Sequence, residues 1–295
     1  MVDDPVADFF AADVLAIAAH RDDVEQTCGG TLLRMASRGL RTAILDLTQG
    51  EAGTRGTAED RAREAATAAR LLGVGWREAL DLPDGAIANT LENRIKIVRV
   101  LRRLRPRVVI LPYWQARHPD HAMVATLGYE ACFLSGLAKA PAVRQTLALR
   151  SQEVDCFPPL RQEEVARMGH GGSSEERLAV ASVLEDPESE IGGLPPHRPF
   201  KIVYASLYAD VRPSFIVDIT PFIEQRHTAL MAYRSQYANQ SAGSGLFVAE
   251  DEIRERTFAE ARHYGLLAGV RYGEPFVQKE VGLVDDLTLV PVQSI

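Results

Sequence analysis

A doubly wound α/β fold is predicted by three observations. The short apolar runs DVLAIAAH (13–20), RTAILDLTQ (41–49) and RVVILPY (107–113) have the length and continuity of strands buried on both faces. Segments with helical periodicity lie between them. The two kinds alternate from residue 13 to residue 138, the pattern of right-handed βαβ units in a mostly parallel sheet. The expected fold is therefore Rossmann-like, with ligands bound beyond the carboxyl ends of the strands.

The elements follow in order. DVLAIAAH ends at polar residues, and VEQTCGGTLLRMASRG then reads as one helix closed by Gly39. RTAILDLTQ is the second strand, and TAEDRAREAATAARLLGV is a helix with Thr57 as its N-cap. REALDLPDG contains a short strand, and TLENRIKIVRVLRRLRP is a helix ended by Pro106. After RVVILPY come a polar loop and a helix over about 122–137. Residues of about 139–196, rich in Glu, Ser, Gly and Pro, break the alternation and read as a surface insertion in a single domain spanning 1–295. KIVYASLY and SFIVDIT are expected to form an added C-terminal strand pair, with helices at 221–238 and 250–265.

Composition excludes several classes. The 295 residues, 46% hydrophobic and 25% charged, are those of an ordinary globular protein. No apolar run reaches the roughly 18 residues needed to cross a bilayer, so no membrane partner is expected. The acidic start MVDDPVADFF lacks a basic region, so no signal peptide is read there. Three widely spaced cysteines form no CxxC and point to a reducing cytoplasm. A net charge of −7 argues against nucleic acid, so an anionic ligand must be held by particular arginines. Neither GxGxxG nor GxSxG occurs, against a dinucleotide site or a hydrolase nucleophile elbow.

Two polar clusters follow apolar strands. HRDD places His20 and Asp23 three apart at the end of the first strand, with Asp22 between them. RHPDH brings Arg117, His118, Asp120 and His121 to the end of the 107–113 strand. Singly, each has a plain structural reading, since Asp22, Asp23 and Asp120 could all cap helices. Together they stand on the same edge of one sheet, where His20, Asp23 and His121 make a two-histidine, one-carboxylate set. Such a set leaves positions open for water and substrate and suits catalytic zinc, while Fe(II) uses the same triad. A non-catalytic metal-binding module would not need Asp22 with His118, and an acidic receiver-type pocket holding Mg2+ would not need HPDH.

AHRDDVE and RHPDH, about a hundred residues apart, resemble the motifs of the LmbE/PIG-L family of zinc-dependent N-acetylglucosamine deacetylases, with Arg21 where proline is usual. The resemblance covers most of the chain outside 139–196. DLTQGEAGTRGTAEDRAREAA, LPDG, PYWQARHPDH, PSFIVDIT, AYRSQY and GVRYGEPF are most similar to the bacillithiol-biosynthesis branch, which acts on N-acetylglucosaminyl-malate. The resemblance implies His20, Asp23 and His121 as zinc ligands and Asp22 as the base that activates water. It implies His118 as oxyanion stabiliser and acid, oriented by Asp120, and places Arg61, Arg117 and Arg198 around a small amino-sugar substrate. Where relatives carry a mobile tyrosine near the oxyanion, the alignment puts Ile253. A homo-oligomer is also expected, and the alternative function is deacetylation of another GlcNAc glycoside or thiol-sugar conjugate.

Overall fold

Every residue of β1 (Val14–Ala18) and β2 (Thr42–Asp46) is buried, as continuous apolar runs require once both faces of a sheet are covered. Alternation along the strands sorts their side chains. Leu15, Ile17, Ala43 and Leu45 pack beneath α4 (Leu91–Leu104) and α5 (Pro119–Ser135). Val14, Ala16, Ala18 and Ile44 face α2 (Gly29–Ser37) and α6 (Ile223–Leu230) on the other side. The computed structural model describes residues 10–139, 194–207, 210–237, 250–290 and 292. The insertion expected at about 139–196 lies outside the described residues except at its two ends.

One sheet of seven strands is described, in the order β3-β2-β1-β4-β5-β7-β6. β3 (Trp76–Ala79), β2, β1, β4 (Val108–Pro112) and β5 (Lys201–Ala205) are parallel neighbours. The chain runs outward from β1 to β3 and then returns to the other side of β1 for β4. This reversal leaves a crevice beyond the carboxyl ends of β1 and β4. α3 (Ala58–Leu71) begins as expected at Thr57, whose side chain and that of Asp60 cap each other's backbone. α4 is capped by Thr90 and stops before Pro106. Among the described residues no helix is long and apolar enough to cross a membrane.

Four expectations change. The helix expected from Val24 is two, α1 (Asp23–Thr27) and α2, broken at Cys28, where φ is −143° and ψ 16°. The break starts a new helix at Gly29, so that the Gly30 and Thr31 N–H groups meet the buried carboxylate of Glu274 at 2.9 and 2.6 Å. α5 starts at Pro119 and not at 122, because His118 takes the N-cap position and proline suits the first turn. The helix expected over 221–238 is a 3-10 turn (Thr220–Phe222), α6 and α7 (Arg234–Tyr237). Finally, KIVYASLY and SFIVDIT do not pair. β7 (Gly273–Val277) lies between β5 and β6 (Phe215–Asp218), antiparallel to both. α8 (Glu250–Leu267) covers that edge, with Phe258 and Ala261 packed near Ile219 and Val217.

Candidate metal centre

β1 and β4 are in register, Val14 beside Val108 and Ala16 beside Ile110, so the loops after them emerge side by side. The first loop carries His20 and leads into α1, whose first residue is Asp23. The second ends at His118 and leads into α5, whose first turn carries His121. His20 Nδ1 lies 3.4 Å from Asp23 Oδ2 and 3.3 Å from His121 Nε2, and His121 Nε2 lies 3.2 Å from the same Asp23 oxygen. Three ligand atoms thus converge from two loops distant in sequence. A second trio, His20 with His118 and Asp120, shares His20, but the Asp120 carboxylate already accepts the N–H groups of Gly85 (2.8 Å) and Ile87 (3.3 Å).

The field at this point favours a cation. Burial opposes charge on His20, yet Asp23 and Asp84 outweigh it and raise the imidazole to about 11. Burial alone would lift the Asp23 carboxyl, and the imidazoles of His121 and His20 instead hold it well below the usual range. Two imidazoles and a carboxylate in an acidic environment are a donor set that a divalent transition metal fits. His20 Nε2 lies 3.1 Å from Asp84 Oδ1, which directs Nδ1 toward the trio. Asp84 was not singled out from the sequence; its only signal there is the LPDG stretch. The other Asp84 oxygen accepts the Ala52 N–H at 3.0 Å.

Asp22 occupies the N-cap position of α1 but makes no side-chain capping bond, so the plain capping role does not describe it. Its Oδ1 accepts from Arg61 Nη2 at 2.8 Å, and its Oδ2 accepts from the Tyr237 hydroxyl at 2.7 Å. Tyr237 is a second residue that sequence reasoning passed over. The turn itself is held from below. Arg77 pairs with Asp46 (2.8 Å) and Glu25 (2.7 Å) and donates to the Arg21 carbonyl, which also accepts from the Tyr233 hydroxyl. Burial pushes Glu25 up to about 7, although Arg77 opposes that shift. Arg21, the departure from the usual motif, is buried and donates to the Ala58 carbonyl at 3.1 Å. It ties the turn to α3.

The expected site residues divide by position. His118 stands beside the trio, its ring centroid 4.8 Å from that of His20 and 5.2 Å from that of His121. Its Nδ1 accepts the backbone N–H of Asp120 at 3.2 Å, while the Asp120 carboxylate holds the 85–87 loop. Asp120, the expected orienting partner of His118, thus meets the ring through its backbone N–H. Burial, reinforced by His20 and His121, lowers the His118 pKa. Arg61 is in the site, but its guanidinium is turned to Asp22 and wrapped by Gly50, where an added Cβ would come within 2.9 Å of it. Arg117 is exposed beside His118. Arg198 is not brought here: it precedes β5, at the opposite end of the sheet, and lies 4.5 Å over the Phe133 ring. Ile253 sits in the first turn of α8.

A Rossmann-like sheet with this trio at its switch point, and a further carboxylate and imidazole beside it, has the donor set and the flanking groups of a metal-type hydrolytic centre. The family model for PIG-L, described as GlcNAc-PI de-N-acetylase, matches residues 15–132, a span holding His20, Asp22, Asp23, Asp84, His118, Asp120 and His121. The chain belongs to this family. It is similar to the diacetylchitobiose deacetylase of Thermococcus kodakarensis, 28% identical over 276 residues, 88% of this chain and 80% of that protein. It is also similar to the 1D-myo-inositol 2-acetamido-2-deoxy-alpha-D-glucopyranoside deacetylase of Rhodococcus jostii, 27% identical over 87% of this chain and 91% of that protein. The solved structure of the conserved protein TT1542 of Thermus thermophilus superposes with a TM-score of 0.69 at 35% identity, covering 93% of this chain and 98% of that one.

Proposed function

We propose that this protein removes the acetyl group from the amide of an N-acetylglucosamine conjugate, and that N-acetylglucosaminyl-malate, of bacillithiol biosynthesis, is its substrate. The observation that carries the chemistry is Asp22, a carboxylate held beside the trio and away from the helix end it would otherwise cap. The amino-sugar assignment is supported by the two relatives, which act on diacetylchitobiose and on a GlcNAc glycoside of inositol.

His20, Asp23 and His121 would hold the metal, zinc or Fe(II), which supplies Lewis acidity by lowering the pKa of water to about 7 and polarising the amide carbonyl. Asp22 accepts the proton of the attacking water. His118 accepts on Nδ1, so in its neutral form the ring proton is on Nε2, available to the oxygen that gains charge. One such contact is typically worth about 3–4 kcal/mol in the transition state. The acid role expected for His118 would need a second proton on the ring and loss of the Asp120 contact. We therefore read Asp22 as the group that carries the proton on to the leaving nitrogen.

A second reading has a specific observation behind it. Arg61, expected to meet a substrate carboxylate, is engaged by Asp22 at 2.8 Å, which takes the guanidinium expected to bind a malyl carboxylate. A GlcNAc glycoside with an uncharged aglycone fits that arrangement. Acetate release from GlcNAc-malate, diacetylchitobiose and GlcNAc-inositol, measured after chelation and again after adding zinc or Fe(II), separates the readings. Metal-dependent turnover with preference for the malate conjugate is expected, and preference for an uncharged glycoside would replace it by the second reading. Asp22→Asn is expected to abolish acetate release with metal still bound. His118→Ala should lower kcat by about 10²–10³ without abolishing turnover; turnover at the wild-type rate in either variant would remove that residue's role.

A further inference from the structure

We propose that Tyr237 is a positioning residue for Asp22, the last link in a closed ring of contacts that keeps the base turned toward the trio. This rests on the reading of Asp22 as the base. An aspartate at an N-cap ordinarily folds back to accept a helix N–H, and Asp22 does not. Two donors remote in sequence hold its oxygens closely instead, Arg61 from α3 on one at 2.8 Å and Tyr237 from α7 on the other at 2.7 Å, where the Gln26 amide of α1 also reaches at a longer 3.4 Å.

The element that delivers the hydroxyl is itself anchored. Ser235 donates through its backbone N–H and its Oγ to the two oxygens of Glu64, at 2.6 and 2.7 Å. Gln236 donates to the Arg55 carbonyl at 2.7 Å. Ser235 packs onto Gly56 so closely that a Cβ there would lie 2.6 Å from its Oγ. Glu64 and Arg61 are three residues apart on α3 and share a face of that helix. The ring is therefore complete: Asp22 to Arg61, along α3 to Glu64, across to Ser235, and along α7 to Tyr237 and back to Asp22. Tyr233, four residues earlier, grips the carbonyl of Arg21 from the same segment. A charge-assisted pair of contacts on both oxygens leaves the carboxylate one orientation. Removing one of them frees it to cap α1.

Tyr237→Phe removes the hydroxyl and keeps the ring. The expected result is a kcat lowered about tenfold, within the loss that misplacing a reacting group produces, with KM, metal content and thermal midpoint unchanged. A crystal structure of the variant should show the Asp22 carboxylate turned onto the first N–H groups of α1. Glu64→Gln, which loosens α7 without touching Asp22, should lower kcat in the same direction. An unchanged kcat, a rise in KM alone, or an Asp22 carboxylate still in place in Tyr237→Phe would overturn the proposal. Asp22→Asn separates the two failures: if it retains turnover, the base assignment falls and this proposal with it. If it is inactive while Tyr237→Phe is fully active, only the positioning role is lost.

Discussion

His20 divides its work between two nitrogens. Nδ1 faces Asp23 and His121, and Nε2 faces Asp84 at 3.1 Å. A proton kept on Nε2 by Asp84 leaves the Nδ1 lone pair for a metal. Asp84→Asn weakens that preference without opening the trio, so metal affinity is expected to fall by about 10–100-fold, as read by competition with a chelator. His121→Ala removes one of the three proposed ligands and should bring metal content close to zero; unchanged content would exclude His121 as a ligand. Arg21 shows the opposite case. It stands in the motif, yet it bonds the Ala58 carbonyl, and its own carbonyl anchors Arg77 and Tyr233. Its contribution is to the shape of the turn.

At the scale of elements, β7 and the start of α2 depend on each other. Glu274, 1% exposed, accepts the Gly30 and Thr31 N–H groups and the Thr31 hydroxyl, and pairs with Arg226 at 3.2 Å. Burying that carboxylate is tolerable only because a helix N-terminus and a guanidinium meet it. Glu274→Ala leaves Arg226 buried without its acid partner and two helix N–H groups unmet. The expected loss is about 3–5 kcal/mol, measured as a lower midpoint in denaturant. Thr57→Ala removes only one side-chain cap of α3 and should cost about 1 kcal/mol. Equal losses in the two variants would show that the Glu274 cluster is not the stronger join.

For the molecule as a whole, the centre is also a joint. It links the turn after β1 to the first turn of α5, so whatever cation fills it ties the two inner strands' loops together. A ligand that binds only the folded state at 100 times its Kd adds about 2.7 kcal/mol. Chelation of the loaded protein is therefore expected to lower its thermal midpoint by several degrees. His121→Ala should melt at the same temperature with and without chelator, and a chelator-dependent shift in that variant would place the cation elsewhere.

Much of this was legible in the order of residues, for a physical reason. Long apolar runs buried on both faces read the same in any context, so β1, β2 and β4, their helices and the capping threonines follow from local chemistry. HRDD and HPDH were legible because strand ends in a parallel sheet share one edge, which brings His20, Asp23 and His121 together. β7 was not legible: GEPFV holds a glycine, a glutamate and a proline, poor strand formers whose pairing is decided by β5, β6 and the Glu274 contacts. Asp84 and Tyr237 were missed for the same kind of reason. A carboxylate in a loop and a tyrosine in a one-turn helix carry no periodicity. Their meaning lies in which atom they meet, 3.1 Å from His20 and 2.7 Å from Asp22. Residue types and strand order identify His20, Asp22, Asp23, His118 and His121 as groups for this chemistry and the sheet edge on which they gather. How each is held emerges from packing, because a hydrogen bond between residues 22 and 237 joins segments that no local pattern relates.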